Sequence, residues 1–137
     1  MSVIKELLRT EDNGTISFGN YALAEKSKLD DYEFEGDVYK IKTFCEITKL
    51  ERNGLFVYES VPGTAVRGFC VTEDGVEFLV TGREDAQITL GLEADANYEV
   101  YLGETCIGEM KTNLGGKLSM SVNLSDDEDV AVKVVRL

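Results

Sequence analysis

The chain has 137 residues, a hydrophobic fraction of 43% and a formal net charge of −12, so it can bury a core as one domain, or as one domain with a smaller second unit. The charge makes nucleic-acid binding improbable, because phosphate contacts require a basic face. It also disfavours binding to an anionic membrane.

At the N-terminus, Val3, Ile4, Leu7 and Leu8 share a spacing that favours a short helix or helical turn over residues 2–9, with an edge strand as the alternative. The segment lacks the apolar run of a signal peptide. No stretch of the chain approaches the roughly 18 apolar residues that a membrane span requires. We therefore expect a cytoplasmic protein with no membrane partner.

The first half of the chain predicts strands separated by polar turns. Strands are predicted at 15–23, at 38–48 and at 55–60, and a further strand is predicted to begin at Tyr32. Two Asn-Gly turns, a Glu-Gly-Asp turn and a polar connection over 25–31 separate them. Lys40 and Lys42 alternate with apolar residues of strand 38–48 and should lie on its exposed side. Lysines in this position also discourage pairing at the edge of a sheet.

Pro62 and Gly63 provide the best candidate for a domain boundary, because Pro62 is the only proline in the chain. This predicts a β-rich N-terminal extension or sheet over residues 1–61. A β-sandwich domain over residues 64–137 would follow.

The second half shows the clearest alternation. Apolar residues occupy every second position over 97–102, 117–124 and 130–134, which places them on one face of each strand. The second half contains four further predicted strands, at 64–71, 76–81, 86–92 and 105–112. The chain as a whole has 11 or 12 predicted strands. Their short, regular spacing predicts an all-β fold, an antiparallel β-sandwich.

The segment from Leu92 to Tyr98 has an apolar residue that ends one strand and a tyrosine, six positions later, that opens the next. It resembles the corner before a strand of fibronectin type III and related immunoglobulin-like sandwiches, with Ala94 where the usual proline would stand. The resemblance implies an immunoglobulin-like C-terminal part. It also implies that the Tyr98 hydroxyl bonds back to the corner backbone while its ring lies in the core.

The chain lacks the residues of most catalytic sites. It has no histidine, so neither a Ser-His-Asp nor a Cys-His arrangement can form. Its three cysteines, Cys45, Cys70 and Cys106, are widely spaced within predicted strands, where we expect small structural side chains and no disulfide framework. We predict no catalytic residue and no cofactor.

The sequence offers two candidate sites, an acidic loop and a single tyrosine. The acidic loop with Asp126, Asp127 and Asp129 offers carboxylates of the kind that calcium takes, without the spacing of a dedicated calcium loop. We expect mainly a solvated turn there. Tyr101 alternates out of phase with Tyr98, so one of the two faces away from the core, and Tyr101 is a candidate contact residue for a ligand or another subunit.

Residues 15–21, 38–44, 57–63 and 110–113 resemble segments of short bacterial proteins from gut anaerobes that are often labelled endosialidase. The resemblance spans nearly the whole chain and implies a family. The arginine triad, Trp-containing Asp-box and propeller length of sialidases have no counterpart here, so no sialidase residue is carried over.

These observations predict a non-enzymatic protein that acts through protein–protein contact, with a homo-oligomer or another protein as partner. A sheet edge or an exposed apolar face would be buried in that contact. The alternatives are a glycan-binding accessory module and, less favoured, a glycosidase that uses carboxylates or a tyrosine.

Overall fold

The computed structural model describes residues 3–125 and 128–137, which form thirteen strands and no helix. The strands are β1 (Leu8–Thr10), β2 (Ile16–Phe18), β3 (Ser27–Phe34), β4 (Asp37–Phe44), β5 (Ile47–Arg52), β6 (Leu55–Val61), β7 (Ala65–Thr72), β8 (Gly75–Thr81), β9 (Ala86–Gly91), β10 (Asn97–Leu102), β11 (Thr105–Lys111), β12 (Lys117–Val122) and β13 (Val130–Arg136). The described part of the chain therefore contains no helix that could cross a membrane.

Two antiparallel sheets form a β-sandwich, as the alternation predicts. Sheet A has the order β1-β2-β7-β8-β13-β10-β11, and sheet B has the order β12-β9-β6-β5-β4-β3. The inner faces of both sheets bury the apolar positions, and Phe18, Tyr58, Phe69 and Phe78 meet edge-on or tilted between them. These ring contacts add specific geometry to the burial of apolar area.

The segment around Pro62 carries the chain from sheet B to sheet A. Strands from both sides of this segment pair in each sheet, β2 with β7 in sheet A and β6 with β9 in sheet B. The Val61–Pro62 peptide is cis. Gly63 is buried, and a Cβ atom built on it would lie 2.0 Å from the backbone oxygen of Phe44.

A buried group of hydroxyls holds this crossover. The hydroxyls of Tyr58 and Thr64 share a hydrogen bond of 2.8 Å, and Ser60 and Thr64 share one of 2.7 Å. Thr48 donates to the backbone oxygen of Thr64 at 2.8 Å and shares a 2.8 Å bond with Thr43. Every buried polar side-chain atom in the described residues has a partner, so this group is satisfied without water.

Several expectations about single elements are wrong. The described residues form thirteen strands instead of 11 or 12, and β3 begins within the connection predicted over 25–31. Residues 5–6 form a turn and Leu8 begins β1, because Leu8 pairs with Phe18 and buries its side chain in the core. A helix over this segment would remove that pairing. β1 is instead an edge strand of sheet A, which is the alternative that the sequence left open. The edge of sheet B beside Lys40 and Lys42 is β3, while β4 is an interior strand, so these two lysines do not protect an edge.

The expectation for the cysteines is correct in part. Cys70 and Cys106 lie in strands β7 and β11, as predicted, but Cys45 does not lie in a strand and none of the three is buried. Cys45 lies in the turn after β4 and is exposed, Cys106 is exposed on the edge strand β11, and Cys70 is half-buried. All three are free thiols.

Candidate functional site

The outer face of sheet A carries a broad groove of about 840 Å³. Strands β7, β8, β13 and β10 are adjacent in the sheet, and the groove lies across them. Its charged members are Arg67, Glu77 and Lys133, and its lining is otherwise apolar, aromatic or glycine: Gly68, Phe78, Leu79, Tyr101, Gly103, Ala131, Val132 and Val135.

The register of the strands explains which side chains meet in the groove. Leu79 on β8 lies directly between Arg67 on β7 and Ala131 on β13. Its neighbours in sequence, Phe78 and Val80, point into the core, so the pleat directs Leu79 outward, where it is 40% exposed. An apolar side chain therefore stands at the centre of the face.

The next row carries charge. Glu77 on β8 is opposite Lys133 on β13, and Lys133 is opposite Tyr101 on β10. Neither Glu77 nor Lys133 forms an ion pair with another described residue. Two exposed groups of opposite charge thus remain available to a partner.

Asp129 lies beside Arg67, one of the residues that line the groove. Its carboxylate accepts hydrogen bonds from the Arg67 guanidinium and from the Thr81 hydroxyl. Both oxygens are engaged, and the described residues contain no group of three potential metal ligands. Asp126 and Asp127, the other two candidate metal ligands, lie outside the described residues, so a metal site there stays a prediction.

Tyr101 lies half-buried on the outer face, as a candidate contact residue would. Its hydroxyl donates a hydrogen bond to the carboxylate of Glu99. This bond raises the pKa of Tyr101 above its ordinary value, with smaller contributions from burial and from the charges of Glu99 and Cys106. The hydroxyl therefore stays protonated at neutral pH and acts as a donor.

The residues named for structural roles lie elsewhere. Tyr98 is buried at 3% exposure on the opposite face of β10, and its hydroxyl accepts a hydrogen bond from the backbone N–H of Glu93, one residue after Leu92. Pro62 and Gly63 lie at the crossover between the sheets, just before β7 begins. None of these four residues lines the groove.

Sequence reasoning identified Tyr101 but missed Leu79, Glu77 and Lys133. The alternation of strand 76–81 contained the indication, because Leu79 is an apolar residue at an outward position. That position becomes informative only when β13 and β10 are known to lie beside β8, and the sequence does not give the strand order.

No protein-family model, curated protein or solved structure matches this chain. The site is therefore interpreted from its own geometry.

Proposed function

We propose that this protein is a non-enzymatic module that self-associates through the outer face of sheet A, so that a second copy of the chain covers the groove. The observation that carries the proposal is Leu79, an apolar side chain held outward at the centre of a broad, mainly apolar face. Burying such a face removes apolar surface from water, which is the main favourable term in association.

The charge distribution favours this face over the rest of the surface. A net charge of −12 makes two copies repel each other unless they meet where the local charge is balanced. At the groove, Arg67 is paired with Asp129 and Lys133 lies opposite Glu77, so the local charges balance. The groove is therefore a surface on which a second acidic chain can dock.

The unpaired charges give this contact a two-fold geometry. In a two-fold symmetric interface, residue i of one protomer meets residue j of its partner and the reverse. Glu77 and Lys133 lie side by side with opposite charge, so a two-fold axis near them would pair each Glu77 with the Lys133 of the other protomer. This arrangement supports a closed dimer rather than an open fibre.

A pair of matched variants tests the proposal. Leu79→Glu places a charge in the proposed interface, and Leu55→Glu makes the same change at a residue that is 71% exposed on sheet B. We expect Leu79→Glu to abolish the dimer in native mass spectrometry while Leu55→Glu leaves it intact. A reductant keeps the exposed thiols of Cys45 and Cys106 from linking chains.

One result would contradict the proposed interface. If the Leu79→Glu variant keeps its fold by circular dichroism and dimerises like the parent chain, the outer face of sheet A is not the interface.

Glycan binding is the second candidate. The groove, at about 840 Å³, falls within the size of small-molecule sites, which combine apolar walls with a few polar groups. Tyr101 would offer a ring for stacking, and Arg67 and Glu77 would offer hydrogen bonds. Chemical-shift changes at β8, β10 and β13 on titration with oligosaccharides would support this candidate, and their absence would remove it.

A further inference from the structure

Four lysines gather on the outer face of sheet B, on the side of the sandwich opposite the groove. Strand pairing places Lys28 directly opposite Lys42, and Lys42 directly opposite Lys49, across three neighbouring strands. Lys40 lies two positions before Lys42 on the same face of β4. We call Lys28, Lys40, Lys42 and Lys49 the lysine cluster.

This arrangement is unfavourable without a ligand. Like charges directly opposite each other on adjacent strands destabilise a sheet. The chain has 14 basic and 26 acidic residues, so acidic partners are abundant. Of the four lysines, however, only Lys49 forms an ion pair with a described residue, Glu51, at 3.6 Å. Lys28, Lys40 and Lys42 form none with the described residues.

Edge protection does not account for the cluster. Lysines protect sheets when they lie on edge strands, but β4 and β5 are interior strands of sheet B. Three of the four lysines lie on those two strands. Cross-strand acidic neighbours account for part of the charge, because Lys40 lies opposite Glu51 and Lys49 lies opposite Glu59. Lys42, between Lys28 and Lys49, has no acidic residue opposite it.

The lysine cluster and Glu51 line a small depression of about 130 Å³. Three adjacent strands span two strand spacings, so the ammonium groups of the central row cover a width of about 10 Å. The row ends at β6, where Glu59 lies opposite Lys49. The positive field is thus confined to a compact patch with acidic residues at its border.

We propose that the lysine cluster is a binding site for a small multivalent oxyanion, a compact molecule that carries two or three phosphate or carboxylate groups. Ammonium groups bind such groups by charge-assisted hydrogen bonds. The small size of the depression, its acidic border and the net charge of −12 favour a compact anion over a long polyanion, which the surrounding surface would repel. The site is independent of the proposed dimer face.

Nuclear magnetic resonance titration of the full chain tests this inference, with pyrophosphate as the phosphate probe and citrate as the carboxylate probe, at constant ionic strength. We expect saturable shifts confined to β3, β4 and β5. Saturation by pyrophosphate alone would assign phosphate as the preferred group, and saturation by citrate alone would assign carboxylate. Shifts scattered over all exposed lysines, or no shift with either probe, would overturn the proposal.

Matched variants separate a site from general charge. Lys42→Gln removes the central member of the row, and Lys5→Gln makes the same charge change at an exposed lysine outside the cluster. We expect Lys42→Gln to weaken binding about tenfold, the effect of one charge-assisted hydrogen bond. Lys5→Gln should leave binding unchanged.

Stability provides a second readout that does not require binding. Without anion, Lys42→Gln should raise the unfolding midpoint because it relieves repulsion from Lys28 and Lys49. With anion, the parent chain should gain more stability than the variant. Equal affinity of the two lysine variants, or equal gains on adding anion, would contradict the inference.

Discussion

Glu77 and Lys133 lie directly opposite each other on β8 and β13, on the outer face of sheet A, and neither forms an ion pair with another described residue. Leu79 stands one row away on the same face. The combination of a central apolar residue with an unused pair of opposite charges is what makes this face suitable for a two-fold contact.

The first prediction concerns this charge pair. Glu77→Lys should weaken the dimer, because it would bring lysines together across the two-fold axis, and Lys133→Glu should weaken it by bringing acids together. The double variant should recover association, since each protomer again offers one charge of each sign. Sedimentation velocity over a concentration series measures all three.

A control variant distinguishes a specific contact at Glu77 from a general effect of net charge on association. Glu25→Lys makes the same charge change at an exposed residue outside the groove. It reduces the net negative charge, so it should leave association unchanged or strengthen it slightly. Weakening by Glu25→Lys equal to that by Glu77→Lys would argue against a specific contact at Glu77.

The second prediction concerns the buried hydroxyl of Tyr58. Tyr58→Phe removes its hydrogen bond to Thr64, while Thr64 keeps its bond to Ser60. We expect a loss of about 1 kcal/mol in the free energy of unfolding at neutral pH. Tyr32→Phe removes an exposed hydrogen bond to Thr10 and should cost less in the same urea titration.

The same variant should also change how the free energy of unfolding depends on pH under alkaline conditions. Burial raises the pKa of Tyr58 far above its ordinary value of 10.0, so the folded state keeps a proton that the unfolded state loses. The stabilising contribution of that proton is fully present below pH 10 and is lost as the pH rises further. Tyr58→Phe should therefore lose stability less steeply above pH 10 than the parent chain, and identical slopes would show that Tyr58 titrates normally.

The third prediction concerns Gly63 at the crossover. A Cβ atom at this position would lie 2.0 Å from the backbone oxygen of Phe44. Because the clashing atom belongs to the backbone, no side-chain movement can relieve the clash. Gly63→Ala should cost about 3 kcal/mol or prevent folding. Gly115→Ala, where the nearest atom is 3.4 Å away on the Asn113 side chain, should stay within about 0.5 kcal/mol in thermal unfolding.

The fourth prediction concerns the unity of the sandwich. Strands from residues 1–61 pair with strands from residues 64–137 in both sheets, so neither part completes a sheet alone. We expect a single unfolding transition that circular dichroism and tyrosine fluorescence report identically. Two separated transitions would instead favour the division at Pro62 that the sequence suggests.

The architecture was predictable where one face of a strand is buried and the other is exposed. Strand β10 occupies the expected residues 97–102, because Tyr98 and Val100 alternate with outward residues. Strand β3 was partly missed, since a register shift between Leu29 and Tyr32 breaks its alternation and Asp31 adopts a positive φ. A bulge of this kind has no clear period in sequence.

The candidate sites were less predictable than the strands, because each depends on strand order. Tyr101 could be assigned to the outward face because, three residues after Tyr98 in the same strand, it points to the opposite side of the sheet. The lysine row could not, since Lys28, Lys42 and Lys49 meet only through pairing across β3, β4 and β5. Hairpin connections make neighbours of consecutive strands, but the sequence alone does not fix their register.

The oligomeric state of the full-length chain under reducing conditions tests the central claim most directly. Native mass spectrometry, with light scattering over a concentration series, measures it. We expect a closed dimer that Leu79→Glu converts to monomer and that Leu55→Glu leaves unchanged. A monomer at every concentration would contradict this expectation, because the apolar face of sheet A would then have no second copy to cover it.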